Sequence, residues 1–128
     1  MAALSDYAEV ELLDHLLGTT AYTMPTTVYM ALYTAAPSDA GGGTEISGNN
    51  YARQALSFGA AASGSAANDG AVTFTCTGGD WGTVTHFGIF DAASAGNLLV
   101  HGALTASREI LDGDEQVFAI GDVTVGAD

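Results

Sequence analysis

The sequence predicts a mainly β protein: an antiparallel, jelly-roll-like β-sandwich with one amphipathic helix near its N-terminus. Seven or eight short β-runs are separated by turns rich in Gly, Asn and Asp, and no βαβ rhythm joins them. A single stretch, Leu4 to Leu17, has helical periodicity. At 128 residues the chain is expected to be one domain, with its helix over 4–17 and its sandwich over 26–125.

Ser5 is a good N-cap for that helix, Asp6, Glu9 and Glu11 suit its positive end, and Gly18 supplies the stop. Tyr7, Val10, Leu13 and Leu17 recur at helical spacing, and Leu12 and Leu16 widen the stripe. Such a stripe packs on the protein's own sheet or reaches a neighbouring subunit; the first is the expectation. Thr26 to Tyr33 follows as a strand with Val28, Met30 and Leu32 on one side. Tyr29 and Tyr33 take the other side, as a second core layer or a subunit contact. Ala35 to Asn50 is long and glycine-rich, so order is expected to fall away there. It lacks the helix and lysine that a phosphate loop needs.

Tyr51 to Phe58 reads as the next strand. Arg53 on it is one of only two cations, which an ion pair with a carboxylate would explain as well as a solvated position. Gly59 to Gly70 is a connection ending in the turn Asn68-Asp69-Gly70, and Ala71 to Cys76 alternates Val72, Phe74 and Cys76 against two threonines. Thr83 to Phe90 and Leu98 to Ala103 form a central hairpin closed by Asp91 to Asn97. Val84, His86, Gly88 and Phe90 are placed on one face, and Thr85, Phe87 and Ile89 on the other. Gly88 and Gly102 mark close approaches, with Trp81 or Phe87 as the ring that fills the gap. Arg108 to Leu111, Glu115 to Ile120 and Val123 to Val125 complete the strands, with the turn Asp112-Gly113-Asp114 between the first two.

Fifteen acidic residues against two arginines and no lysine give a net charge of −13. Nucleic acid and anionic membranes are excluded as partners, because phosphate binding needs clustered cations. Adaptation to high salt, or a surface kept soluble at high local concentration, accounts for such acidity. No stretch is long and apolar enough to span a membrane, and no secretion-signal pattern opens the chain. The lone Cys76 forms no disulfide within the chain and reads as a small buried hydrophobe.

Candidate chemistry is sparse. His86 and His101 on neighbouring strands, with Asp91 nearby, could bind a metal or form a base and its orienter, and Asp112, Asp114 and Glu115 could hold calcium. Packed imidazoles and an acidic turn explain them better. No Gly-x-Ser-x-Gly, His-Glu-x-x-His or phosphate-loop motif occurs, so neither catalysis, cofactor nor metal is expected.

Leu4-Ser5-Asp6-Tyr7, Leu12-Leu13-Asp14-His15, Pro25-Thr26-Thr27-Val28-Tyr29, Leu32-Tyr33-Thr34 and Gly43-Thr44-Glu45-Ile46-Ser47-Gly48 are followed by Tyr51-Ala52-Arg53-Gln54, Trp81 to Asp91, Gly96-Asn97-Leu98-Leu99 and Gly121-Asp122-Val123-Thr124-Val125. In this order the motifs resemble a family of small virion structural proteins of tailed bacteriophages and related archaeal viruses, labelled tail fibre, tail or decoration proteins. The resemblance implies a non-enzymatic part of the particle, made in the host cytoplasm. A capsid decoration or cement protein on the major capsid shell is the first expectation, and a tail-associated fibre or adaptor component the second. A carbohydrate-binding module using Trp81 and the tyrosines is a distant third. Partners are then the major capsid protein or tail proteins, with a homo-oligomer, a trimer by symmetry, expected. Tyr7, Val10, Leu13, Leu17, Tyr29, Tyr33 and Arg53 are the candidate assembly contacts, and the loop Ala35 to Asn50 joins the helix as a candidate contact element.

Overall fold

The computed structural model describes residues 2–127. Its one helix, α1 (Asp6–Leu16), starts where Ser5 caps it: the Ser5 hydroxyl accepts from Ala8 N–H at 3.1 Å and donates to the carbonyl of Leu98. Ahead of it the two-residue strand β1 (Ala3–Leu4) takes Leu4 out of the predicted helix. The strands that follow are β2 (Val28–Ala35), β3 (Thr44–Glu45), β4 (Gln54–Leu56), β5 (Ser65–Ala67), β6 (Val72–Thr75), β7 (Gly82–Phe90), β8 (Leu98–Ile110), β9 (Glu115–Phe118) and β10 (Thr124–Gly126). Strand β5 lies inside the stretch expected to be a plain connection.

Six strands form one antiparallel sheet in the order β1-β8-β7-β2-β3, with β4 also on β2. Two short ladders, β6 with β9 and β5 with β10, supply the rest of the β structure. The main core joins Met30, Leu32, Phe87, Ile89 and Val100 of the sheet to Val72, Phe74, Phe118 and Val123 of the ladders and their connections. Mainly β architecture with one helix near the N-terminus is therefore what the chain adopts.

The central hairpin is β7 and β8, and β7 lies between β8 and β2 as a central strand should. Two predicted strands, Leu98 to Ala103 and Arg108 to Leu111, are one 13-residue strand. The predicted gap marks a break in register: Val84 pairs with Arg108 and His86 with Ala103, so Thr85 alone stands against residues 104–107. This irregularity also corrects the face assignment. Val84 shares the main core with Phe87 and Ile89 rather than a face with His86, because strict alternation fails across the extra residues.

Close approach does explain both strand glycines. A Cβ on Gly88 would lie 3.1 Å from the Tyr33 ring and 3.0 Å from Leu98 Cδ1, and one on Gly102 would lie 3.0 Å from Ala2 Cα and 3.3 Å from the Phe87 ring. Phe87 thus plays the role expected of it at Gly102. Trp81 instead packs edge-on to Tyr51 and donates its indole N–H to Asn49 O at 3.0 Å.

At the far end, the buried Asn68 fixes the ladders to each other. Its amide nitrogen donates to Gly70 O and Ala119 O, and its oxygen accepts from Gly121 N–H and Val123 N–H. The turn signal in the sequence thus conceals a core polar residue with both ends of its amide satisfied.

Candidate assembly surface

Arg53 sits behind the sheet, on the face opposite the main core, with its side chain only 9% exposed. Its guanidinium forks onto Glu45, with Nε to Oε2 and Nη2 to Oε1 both at 2.9 Å. Nη1 reaches the carbonyls of Ala92 and Ala95 at 3.1 and 2.8 Å, and the group lies 3.6 Å from the Phe90 ring centroid. Tyr51 Oη donates to Glu45 at 2.7 Å and accepts from Leu32 N–H at 3.0 Å. The hydrogen bonds to Glu45 push the Arg53 pKa up against the opposing effect of burial. One cation thereby ties three segments, around β3, β4 and the Asp91–Asn97 turn, to one sheet face.

On the same face Tyr33 is buried with Ala31 and Phe90 against Leu98, forming a small second core layer. Burial, and then the nearby Glu45 charge, raise its pKa to about 12. Tyr29 is half-buried on the same strand. Of the seven candidate contacts, Tyr33 and Arg53 therefore have their polar and apolar surface taken up internally. The partner of Arg53, Glu45, and the Tyr51 hydroxyl were not foreseen. A bidentate partner for a scarce arginine was the signal, but sequence alone does not choose among fifteen carboxylates.

The loop expected to lose order is instead built into the fold. Strand β3 pairs with β2 within it, Ser38 and Gly41 exchange backbone hydrogen bonds at 2.9 Å, and Asp39 accepts from Asp6 N–H at 2.9 Å and bonds His101 Nε2 at 2.7 Å. At Gly43, with φ of +75°, a Cβ would lie 2.7 Å from Ala35 O, so only glycine fits. The loop consequently abuts the start of α1.

The helix is where the structure departs most from expectation. None of its residues is buried, and its half-buried positions are Tyr7, Ala8, Glu11 and Asp14. Ala8, Glu11, Leu12 and His15 face a shallow cleft toward Leu4, Leu99 and Tyr22, and His15 Nδ1 accepts from Tyr22 N–H at 3.1 Å. Val10, Leu13, Leu16 and Leu17 are 57, 55, 66 and 76% exposed. Packing of the apolar stripe on the protein's own sheet is thus corrected: Val10, Leu13, Leu16 and Leu17 point outward, because Ala8, Glu11, Leu12 and His15 take the inner side. Of the predicted stripe, Tyr7 and Leu12 turn partly inward.

The remaining candidates for chemistry are bonded within the fold. His86 Nδ1 is 2.8 Å from Thr85 Oγ1, and His101 is paired with Asp39. Their register, His86 on Ala103 and His101 on Gly88, sets the histidines diagonally rather than opposite. Asp114 closes its turn by accepting from Leu111 N–H, and Asp112 accepts from Gly78 N–H in a separate loop. Burial raises the Cys76 pKa. Among the described residues no three His, Cys, Asp or Glu side chains are grouped to hold a metal, and no helix is long and apolar enough to cross a membrane.

The fold and this surface define, as a class, a small acidic, mainly β protein with an internally bonded sheet face and a helix whose apolar face is exposed. The family model described as Podophage GP4 fiber I protein gp80 matches residues 3–126, and the chain belongs to that family. It is a virion structural protein of the tailed-phage tail and fibre type. The comparison with curated proteins gives no match. A fibre family favours the tail-associated reading over the capsid decoration expected first, and capsid decoration receives no support.

Proposed function

We propose that the chain is a component of the tail fibre apparatus, a small rigid module held to other tail proteins through α1 and the adjoining loop 36–43. The fibre-family match over nearly the whole chain carries this reading. Its support in the molecule is the pairing of a stiff body with a helix whose Val10, Leu13, Leu16 and Leu17 have no cover among the described residues. Tyr7, Val10, Leu13 and Leu17 stay among the proposed contacts, joined by Leu16. A fibre module of this kind acts by positioning and needs no catalytic group, cofactor or metal. A trimer is the symmetry proposed for it, on a surface other than the helix face.

Separating heads from tails of purified virions and quantifying the chain in each by mass spectrometry tests the assignment. It is expected with the tails, at a small fraction of the copy number of the major capsid protein. Recovery with the heads at near-equal copy number would return the protein to the shell.

A further inference from the structure

We infer that the outward face of α1 docks an amphipathic segment of a different virion protein, with apolar residues set beside Lys or Arg; this rests on the tail-component reading above. At roughly 100° per residue, Val10, Leu13, Leu16 and Leu17 share one side of the helix with Asp6 and Glu9, and Asp14 flanks Val10. The face is therefore graded along its length, acidic in the first turns and apolar toward the C-terminal end.

A second copy does not complement this face in either orientation. Parallel docking sets Asp6 and Glu9 against their own kind, which is repulsive. Antiparallel docking lays those carboxylates on Leu13 and Leu17, which strips water from charges without pairing them. Nor does another part of the chain supply the missing cation: there is no lysine, Arg53 is committed to Glu45, and the only other arginine is Arg108. His15, the one basic residue of the last turn, faces the inner cleft and is bonded to Tyr22 N–H. Anionic lipid would meet the same carboxylates and be repelled. A cationic amphipathic helix answers both halves of the face, with leucine on leucine and lysine on Asp6, Glu9 and Asp14.

Two synthetic helical peptides with the same leucine seam, one flanked by lysine and one by glutamate, probe this directly by fluorescence anisotropy with the full chain. The lysine peptide is expected to bind more tightly, by roughly tenfold or more at low salt. Leu13→Asp should abolish that binding, and Glu9→Lys combined with Asp14→Lys should reverse the preference toward the glutamate peptide. Equal binding to the Leu13→Asp protein would reveal simple charge attraction and overturn the inference, as would an unreversed preference.

Carbodiimide coupling in purified virions separates this result from the tail assignment. The chain has no lysine side chain, so a link from Glu9 or Asp14 to a lysine identifies another protein. Such links are expected. A chain present in tails and linked only through carboxylates away from the helix would overturn the docking face alone, whereas a chain absent from tails would overturn the tail assignment.

Discussion

The back of the sheet and the N-terminal helix are both rich in the residues that make contacts, yet one is closed and the other open. Around Arg53 the guanidinium fork, two carbonyls, an aromatic ring and a tyrosine hydroxyl satisfy one another within the chain. On α1 four aliphatic side chains stand in solvent and no helical residue is buried. Stability is concentrated where groups are satisfied, and the proposed capacity to bind another protein lies where they are not. Substitutions in the two regions should therefore separate folding from assembly.

The largest effect belongs to the closed region. Arg53→Ala leaves Glu45 without its fork and frees the 91–97 turn, and should cost about 3 kcal/mol, the low end for a broken buried pair because Glu45 is partly exposed. Denaturant unfolding measures it, and Arg53→Lys should recover only part of the loss, since an ammonium does not fork. A loss below about 0.5 kcal/mol would remove the contrast between the two regions. Next comes Gly88→Ala, which presses a methyl onto Tyr33 and Leu98 and should destabilise by about 1–2 kcal/mol in the same assay.

Alkaline pH probes the same face without mutation. Burial raises the pKa of Tyr33 to about 12 and, with its hydrogen bond to Glu45, that of Tyr51 higher still, from an ordinary value near 10. Because both folded values lie above the unfolded one, both contributions are fully present below pH 10; that of Tyr33 is lost as the pH rises through about 12, and that of Tyr51 at higher pH. Melting temperature followed against pH should fall over that window, and Val10→Asp with Leu13→Asp should leave the profile unchanged. The smallest stability effect is that of the helix pair itself. Exposed on α1, Val10→Asp with Leu13→Asp should alter unfolding free energy by less than about 1 kcal/mol in total.

Which parts of this contrast could be read beforehand follows from the range of the interactions. Local patterning placed the helix between its Ser5 cap and Gly18, the central hairpin, and the β6 alternation, because each depends on neighbours in sequence. It missed β5, the ordered loop around β3, and the join of two predicted strands into β8, since these depend on partners far along the chain. The register break at Thr85 defeated the face assignment for a similar reason: the surplus residues lie on the partner strand. In the candidate surface, the stripe Val10, Leu13 and Leu17 was visible as periodicity, but its direction was not. Periodicity reports that one side of a helix is apolar, and only the sheet edge beneath it decides whether that side is covered.

The most direct test of the account is assembly of a virion in the presence of the Val10→Asp, Leu13→Asp chain, with its copy number in purified particles measured against wild type by quantitative mass spectrometry. The expected result is a folded protein with near-wild-type melting that is missing from the particle. Incorporation at the wild-type level would contradict it and move the assembly surface away from the helix.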